Sequence, residues 1–512
     1  MQLFFTFLQL SQLIFLLLLI AYASFLVISL VIGGVHLYEK REHRSRLATH
    51  ADDVGVSVIV PAYNEALTIV NTIDSILHLN YDHYEIIVVD DGSSDQTSMV
   101  LMNHFPLILH QEPINQHIVT KPYKAIYKAD VEGVVLTLIV KENGGKGDAL
   151  NMGINASCHD YFLCLDADSM LQKDSLKHIV TSVRLDKTVI AVGGLVQVAQ
   201  GVKIEEGGVV SYHLPWRMIP CAQAIEYDSS FLGARIFLDY LKANLIISGV
   251  FGLFKKDIVK AVGGYDTETL GEDMELVMKL HFFCRNNQVP YRICYETDAV
   301  CWSQAPTSLG DLRKQRRRWF LGLYQCLKKY RSVFANYRFG AVGFVSYIYY
   351  IFFELISPFL ELFGAGVVFL ALIFHQLNIP FFFSLIFLYT LYCILITLTS
   401  FLHRIYSQKL MIGVTDIIKV IYIAVFRYLI LHPVLILVKT SSIIGYREKK
   451  NIWGSLSARF RCRNTIISFL EDYLIRNIHP IENSEKFSEK PSSFVKKFLK
   501  YSRFLLIASK IC

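Results

Sequence analysis

Paired carboxylates, a lysine set among glycines and a tryptophan beside arginines are the residues of this chain whose types and spacing could do chemistry. Asp166-Ala167-Asp168 directly follows the apolar run Tyr161–Leu165. Alternate residues of an extended segment share a face, so the two carboxylates point the same way. That arrangement suits a hard divalent cation bridging to phosphate oxygens; the plain alternative is a solvated turn. In KENGGKGDAL, residues 141–150, Gly144, Gly145 and Gly147 let backbone approach closely and Lys146 supplies a point charge. Residues from Asp148 to Asn155 continue as a helix whose positive end favours anions. The GxxxxGK[ST] pattern of a Walker loop is absent, and a Gly/Lys turn by itself is often only a turn.

Other polar groups repeat the theme. Asp90 and Asp91 end the apolar run Glu85–Val89, where two carboxylates are costly unless a cation or hydrogen-bond donors come to them. Helix capping accounts for Ser94 or Asp95 but leaves Asp90 and Asp91 unexplained. Pro61-Ala62-Tyr63-Asn64-Glu65 is a turn before a helix, where free N–H groups and an aromatic ring could hold a nucleotide. Glu272 and Asp273 open an amphipathic helix after Gly271; the helix dipole favours carboxylates there, and a general base is the sharper reading. Gln315-Arg316-Arg317-Arg318-Trp319 precedes an apolar region. A basic helix in that place suits lipid headgroups, while an indole face and a neighbouring cation suit a sugar ring and a pyrophosphate.

Short apolar strands alternate with polar turns and amphipathic helices through the segment that carries these residues. Strands are predicted at Val56–Val60, Glu85–Val89, Leu136–Val140, Tyr161–Leu165 and Val189–Val192, with helices at Glu65–Leu77 and Asp95–Asn103. Continuous Val/Ile runs alternating with helices predict an α/β fold with a parallel sheet covered on both faces. Ligands of such sheets bind beyond the carboxyl ends of the strands, so the polar loops should share one edge. Residues 115–135 receive no role.

Apolar residues make up 53% of the 512 positions, and they come in blocks. No charged residue precedes Glu39, and Leu13–Ile32 is long enough for a helix to cross a bilayer. The run is too long for a signal peptide and lacks a basic flank before it, which predicts a retained anchor. Lys40, Arg41, Arg44 and Arg46 follow at once and place the next segment in the cytoplasm. Further spans are predicted at roughly 344–374 and 380–402. Residues 414–444 carry Asp416, Lys419, Arg427, Lys439 and Pro433, and are left open between a span, a hairpin and an interfacial helix. A single crossing there conflicts with the basic Arg447, Lys449 and Lys450. The resulting division is an anchor at 1–38, a cytoplasmic domain at 52–310, interfacial helices at 311–338, a membrane region at 339–445 and a basic tail at 446–512. Ten scattered cysteines show no metal-binding spacing, and the net charge of +7 suits anionic lipid rather than nucleic acid.

The motifs PAYNE, DDGSSD, GGKGDALN, DAD, GEDME and QRRRW, in this order over residues 54–330, resemble the inverting family 2 glycosyltransferases. The resemblance is to the processive membrane synthases of cellulose, hyaluronan, chitin and poly-N-acetylglucosamine. It implies a GT-A nucleotide-sugar-binding domain in a multi-pass protein of the cell membrane. It further implies a UDP-sugar donor, a polysaccharide acceptor, contact with membrane lipid and accessory membrane subunits. By that likeness Asp91 contacts uracil with Asp90 beside it, and Pro61, Tyr63, Glu65, Lys146, Asn151 and Asp166 serve the donor. Asp168 binds Mg or Mn, and Asp273 is the general base. Gln315, Arg318 and Trp319 match QxxRW and hold the diphosphate and the acceptor end, with Ser248, Gly249 and Glu272 nearby. A non-processive transferase acting on a lipid carrier or glycolipid is the nearest rival, against which QxxRW argues. An inactive transport or scaffold protein is a rival of another class, opposed by the intact Asp91, Asp166, Asp168 and Asp273.

Overall fold

Runs of Val, Ile and Leu between polar turns fold as strands because both faces of the sheet they build are covered. In the computed structural model, residues 2–47, 54–205, 207–408, 413–444 and 446 are described. The strands among them are β1 (Val56–Ala62), β2 (Tyr84–Asp90), β3 (Ile108–His110), β4 (Tyr123–Val131), β5 (Val134–Lys141), β6 (Tyr161–Leu165), β7 (Ser169–Leu171), β8 (Val189–Val198), β9 (Val202–Glu205), β10 (Gly208–Tyr212), β11 (Phe251–Lys255) and β12 (Arg292–Ser303). Ten form one sheet in the order β3-β4-β5-β2-β1-β6-β11-β8-β12-β7, and β9 pairs with β10 as a separate hairpin. One face packs on the Ile69–Leu77 and Ser175–Leu185 helices through Ile69, Ile73, Leu176 and Ile179. The other packs on the Lys146–Ala156 and Glu272–Asn286 helices through Leu150, Ile154, Leu276 and Leu280. This is a GT-A-type α/β domain.

The sheet is mixed, which corrects the expectation of a parallel one. β5, β2, β1 and β6 run parallel, as do β8 and β12, but β11 lies antiparallel between β6 and β8, β4 lies antiparallel between β3 and β5, and β7 is an antiparallel edge. The chain reaches β11 from a helical excursion, Met218–Ser229 and onward to Tyr240, and not by a right-handed crossover. Its reversed direction matters for the site. The amino end of an antiparallel strand stands beside the carboxyl ends of its parallel neighbours, which brings Ser248–Val250 to the edge where β1, β2, β5 and β6 end.

Residues 115–135 also gain a place. Glu132 and Gly133, both at positive φ, turn β4 back along β5 as a hairpin. Ahead of β4, the Asn155 side chain accepts from His117 N and Ile118 N and donates to Ile118 O, and Asp148 accepts from Lys121 N, so the segment is tied down over the Lys146–Ala156 helix.

Among the described residues, four helices are long and apolar enough to cross a membrane: Ile20–Glu39, Val342–Ile373, Ile379–Ile405 and Val414–Ile443. The first lies within one continuous helix, Gln2–Leu47. Polar contacts fasten these helices to the α/β domain. His36 meets Asp239 at 3.4 Å, and the buried Arg404 donates to Tyr212 Oη at 2.8 Å and to Asp228 at 3.1 Å. The stretch left open in the sequence, 414–444, is helical, with a π-turn at Arg427–Leu431. Its two ends meet the same domain. Asp416 accepts from Leu214 N at 3.2 Å and Lys419 donates to Leu214 O at 2.9 Å, while the Tyr446 ring lies 5.4 Å from that of Tyr324 on the Leu309–Lys329 helix. The described residues pack as one compact unit; Arg447–Lys450 and the basic tail lie outside them.

Candidate active site

The loops after β1 and β2 are laced into one platform. Asn64, at φ 59°, accepts through Oδ1 from Ser94 N, Ser94 Oγ and Asp95 N, while Glu65 N donates to Thr97 Oγ1 and Ala66 N to Asp95. Pro61 and Tyr63 flank this platform, half-buried. Asp90 turns inward, accepting from Ser93 N at 2.9 Å and from Ser98 Oγ. Asp91 is 2% exposed. Its carboxylate accepts from Lys141 Nζ at 2.6 Å, Gly144 N at 3.0 Å and Gly145 N at 2.7 Å, so it anchors the glycine loop to β2. Lys141, fully buried, also pairs with Asp148 at 2.7 Å. Two carboxylates around one ammonium are what make a buried charge tolerable here.

The same reading relocates Asn151, which the motif reading assigned to the donor pocket. Both ends of its side-chain amide are used on the Tyr265 backbone, at 2.9 and 2.8 Å, and it is 1% exposed. It braces the turn that leads to the Glu272–Asn286 helix.

Lys146 reaches the cleft. Its ammonium lies 2.5 Å from Asp166 and donates to Gly249 O at 3.1 Å. Burial alone would lower its pKa, but Asp166 and Glu272 outweigh that and hold it above the ordinary lysine value. Gly249 N in turn donates to Asp273 Oδ2 at 3.2 Å, and Asp273 Oδ1 accepts from Met274 N. Beside it, burial and the neighbouring Asp273 push the Glu272 carboxyl up, while Lys146 and Arg318 pull it down. Ser248 sits half-buried next to Gly249.

Across the cleft floor, burial raises the Asp168 carboxyl well above the carboxylate range, and Asp166 and Glu65 raise it further. Burial likewise raises Glu65, against its hydrogen bond from Thr68 and with help from Asp166. An anionic cluster held so unfavourably is what a divalent cation offsets. These carboxylates do not close a cage among themselves, which fits an ion held by one or two protein oxygens and completed by phosphates. A tighter group of ligand-type atoms, Glu85, Cys158 and His159 within 4.8 Å, lies at the far end of the sheet. There Glu85 Oε1 already accepts from Ser57 Oγ and Cys158 N.

The Leu309–Lys329 helix carries Gln315, Arg318 and Trp319, and Arg318 stands close enough to Lys146 and Glu272 to act on both charges. Ser308 caps it by accepting from Asp311 N. A Cβ on Gly322 would sit 2.7 Å from Gly271 N, so glycine permits this helix to press against the start of the one bearing Asp273. Gln325 accepts from Leu270 N, and Lys329 bridges Asp266 and Glu275, at 2.5 and 2.6 Å, fixing the register. Gln315 Oε1 is buried with no hydrogen-bond partner among the described residues. Trp319 is 40% exposed. On the membrane side of this helix opens a cavity of about 510 Å³, lined by Glu226, Arg316, Tyr22, Glu354 and Lys439 among others.

Lys141, Glu226 and Arg316 were missed by motif reading. A lone lysine ending an apolar strand was a usable signal for the first; for the Glu226–Arg316 pair, separated by 90 positions, the sequence holds none.

A sheet whose strand ends gather a glycine loop, a carboxylate cluster and a helix-borne carboxylate defines a nucleotide-sugar transferase class, and comparison agrees. Residues 57–262 match Glycosyl transferase family 2, and residues 161–406 match Glycosyl transferase family group 2. The α/β domain of this chain is thus a glycosyltransferase domain similar to those of glycosyl transferase family 2. Among curated proteins, it is 32% identical over 314 residues to the poly-beta-1,6-N-acetyl-D-glucosamine synthase of Staphylococcus aureus strain COL, and 31% identical over 314 residues to that of Staphylococcus epidermidis. Each match covers 60% of this chain and 65% of the relative, so the chain matches about two-thirds of the length of those relatives and no more. A mannosyltransferase from Pyrobaculum calidifontis, solved with GDP-Man and Mn2+, aligns over 80% of this chain and 98% of its own, at 19% identity and a TM-score of 0.46.

Proposed function

We propose that this protein is an inverting, processive glycosyltransferase that moves a hexose or N-acetylhexosamine from a UDP-sugar onto a growing polysaccharide and passes the polymer across the membrane. One observation carries the reading: Lys146 and Asp273 bind the carbonyl and the N–H of the same residue, Gly249, at the strand edge that also holds Asp166 and Asp168. A cation suited to a leaving diphosphate and a carboxylate suited to act as base thus share one residue as partner, which supports the reading. The similarity to poly-beta-1,6-N-acetyl-D-glucosamine synthases makes UDP-N-acetylglucosamine the first donor to test.

In this reading Asp273 takes the proton of an acceptor hydroxyl while the hydroxyl oxygen forms its bond to the anomeric carbon. The bond from that carbon to the diphosphate oxygen breaks on the opposite face, and no covalent enzyme intermediate is needed. Lys146 and Arg318 offset the charge that develops on the departing UDP. Asp168, with Asp166, is the place for Mg or Mn, which when bound supplies Lewis-acid neutralisation of the diphosphate. Asp91 and Lys141 keep the glycine loop in place for the uridine. Trp319 offers an indole face, and Gln315 an unpaired acceptor, to the sugar at the end of the chain. The cavity beyond the Leu309–Lys329 helix gives a polymer somewhere to go. The basic residues after Ile32, next to an apolar helix, support a catalytic domain on the cytoplasmic side of the cell membrane in this reading.

Purified protein in detergent, supplied with divalent metal and in turn with UDP-glucose, UDP-N-acetylglucosamine and UDP-glucuronate, tests the proposal when the products are sized. A long product from one of the neutral donors is expected. Addition of a single sugar only would support the non-processive alternative, and no transfer from any UDP-sugar would remove the proposal.

A further inference from the structure

Arg316 lies inside QRRRW and lines the cavity among the apolar helices. Its Nη1 and Nη2 bind Glu226 Oε1 and Oε2 at 2.7 and 3.0 Å, a flat two-pronged pair. Its Cζ stands 4.4 Å from the centre of the Trp319 ring. The arginine side chain is 6% exposed, and its Nε is buried without a hydrogen-bond partner among the described residues. Glu226 comes from the Met218–Ser229 helix, far away in sequence, and both members of the pair line the cavity among the apolar helices. Burial would raise the Glu226 carboxyl, but Arg316, Arg427 and Lys439 hold it below its ordinary value, so the pair is ionic.

These contacts determine how the tryptophan is presented. A guanidinium can satisfy a carboxylate along one edge and stack on an aromatic ring with its flat side at the same time; an ammonium cannot do both. With one indole face covered by Arg316 and the ring still 40% exposed, the uncovered part is what remains for a ligand. The carboxylate that aims the arginine belongs to a helix of the cavity wall, so the orientation of Trp319 is tied to the geometry of that wall.

We infer that Glu226 and Arg316, which line the cavity, act together as a positioning device, holding the Trp319 ring against the cavity wall so that the terminal sugar of a polymer stacks there and is directed inward. The inference rests on the processive reading proposed above. Neither residue touches the reacting atoms. Their role is to keep the chain end in register between additions, so their loss should shorten the product without impairing donor use.

The test uses the full-length protein in detergent with the donor that gives polymer, comparing Arg316→Lys, Glu226→Gln and the double variant with wild type. UDP release and product length are measured in one assay, together with the donor KM. The expected result is a donor KM within about twofold of wild type and a mean product length about tenfold shorter at equal UDP release. Because the two side chains form one device, the double variant should be no worse than the more affected single one. Product length that stays constant, or that falls only in step with UDP release, overturns the inference, and so do effects of the two substitutions that simply add. Should one of the two single variants fail to fold, the other placed in a Trp319→Ala background decides: no further shortening supports the coupling, and a further loss overturns it. A wild-type enzyme that adds only one sugar overturns the processive reading itself, an outcome visible before any variant is made.

Discussion

Lys146 and Asp273 bind the two peptide groups that flank the Gly249 Cα, the ammonium on the Gly249 carbonyl at 3.1 Å and the carboxylate on the Gly249 N–H at 3.2 Å. Two adjoining amides, joined at one glycine, thereby set the spacing between a cation and a base contributed by helices over a hundred residues apart. A Cβ added at Gly249 would lie 3.3 Å from Asp273 Cβ and 3.4 Å from Lys146 Nζ. Gly249→Ala should therefore lower turnover by roughly 10- to 100-fold through misplacement alone, with little change in thermal stability. Unchanged turnover in steady-state assays would mean that this spacing does not matter.

Asp273→Asn keeps the shape and the hydrogen bond from Gly249 but removes the base. Transfer should fall by roughly 10²–10⁴, while UDP binding, measured by calorimetry, stays close to wild type. If UDP affinity collapses instead, Asp273 is a binding residue and Glu272 becomes the candidate base.

Asp168→Ala should abolish the metal-dependent part of turnover, and chelation of wild type with EDTA should do the same. The two treatments should not add. Wild-type-level transfer by the variant in EDTA would end the metal assignment.

Lys141→Met should destabilise the domain by about 3–5 kcal/mol, because it leaves Asp91 and Asp148 buried without their shared cation. Thermal unfolding in detergent reads this as a fall in Tm. A variant as stable as wild type would show that loop hydrogen bonds alone carry the two carboxylates.

The two ends of Val414–Ile443 both meet the α/β domain, so cysteines placed at the exposed Thr415 and Ser441 should label with an impermeant maleimide from the same side as the exposed Cys158. A cysteine at Asn378, between two apolar helices, should label from the other side. Ser441→Cys reacting together with Asn378→Cys would make 414–443 a crossing helix.

Much of this was legible in the residues themselves. Blocks of uncharged residues are read correctly because a bilayer-length helix is a local property of composition. The strands at β1, β2, β5 and β6 were found within a few residues because each is an apolar run closed by polar turns, and the motif order was enough to point to the family. The parts that depend on distant pairing were not legible. A strand's direction is set by how the chain arrives, so the reversal of β11, and with it the arrival of Gly249 between Lys146 and Asp273, could be decided only by the tertiary structure. A side chain's partner is set by packing as well: Asn151 and Asp91 carry the motif identities but spend their hydrogen bonds on Tyr265 and on the Lys141 loop. Composition left 414–444 open because charge and apolarity fix a helix but not where its ends come to rest, and Leu214 and Tyr324 became its neighbours only when the chain folded.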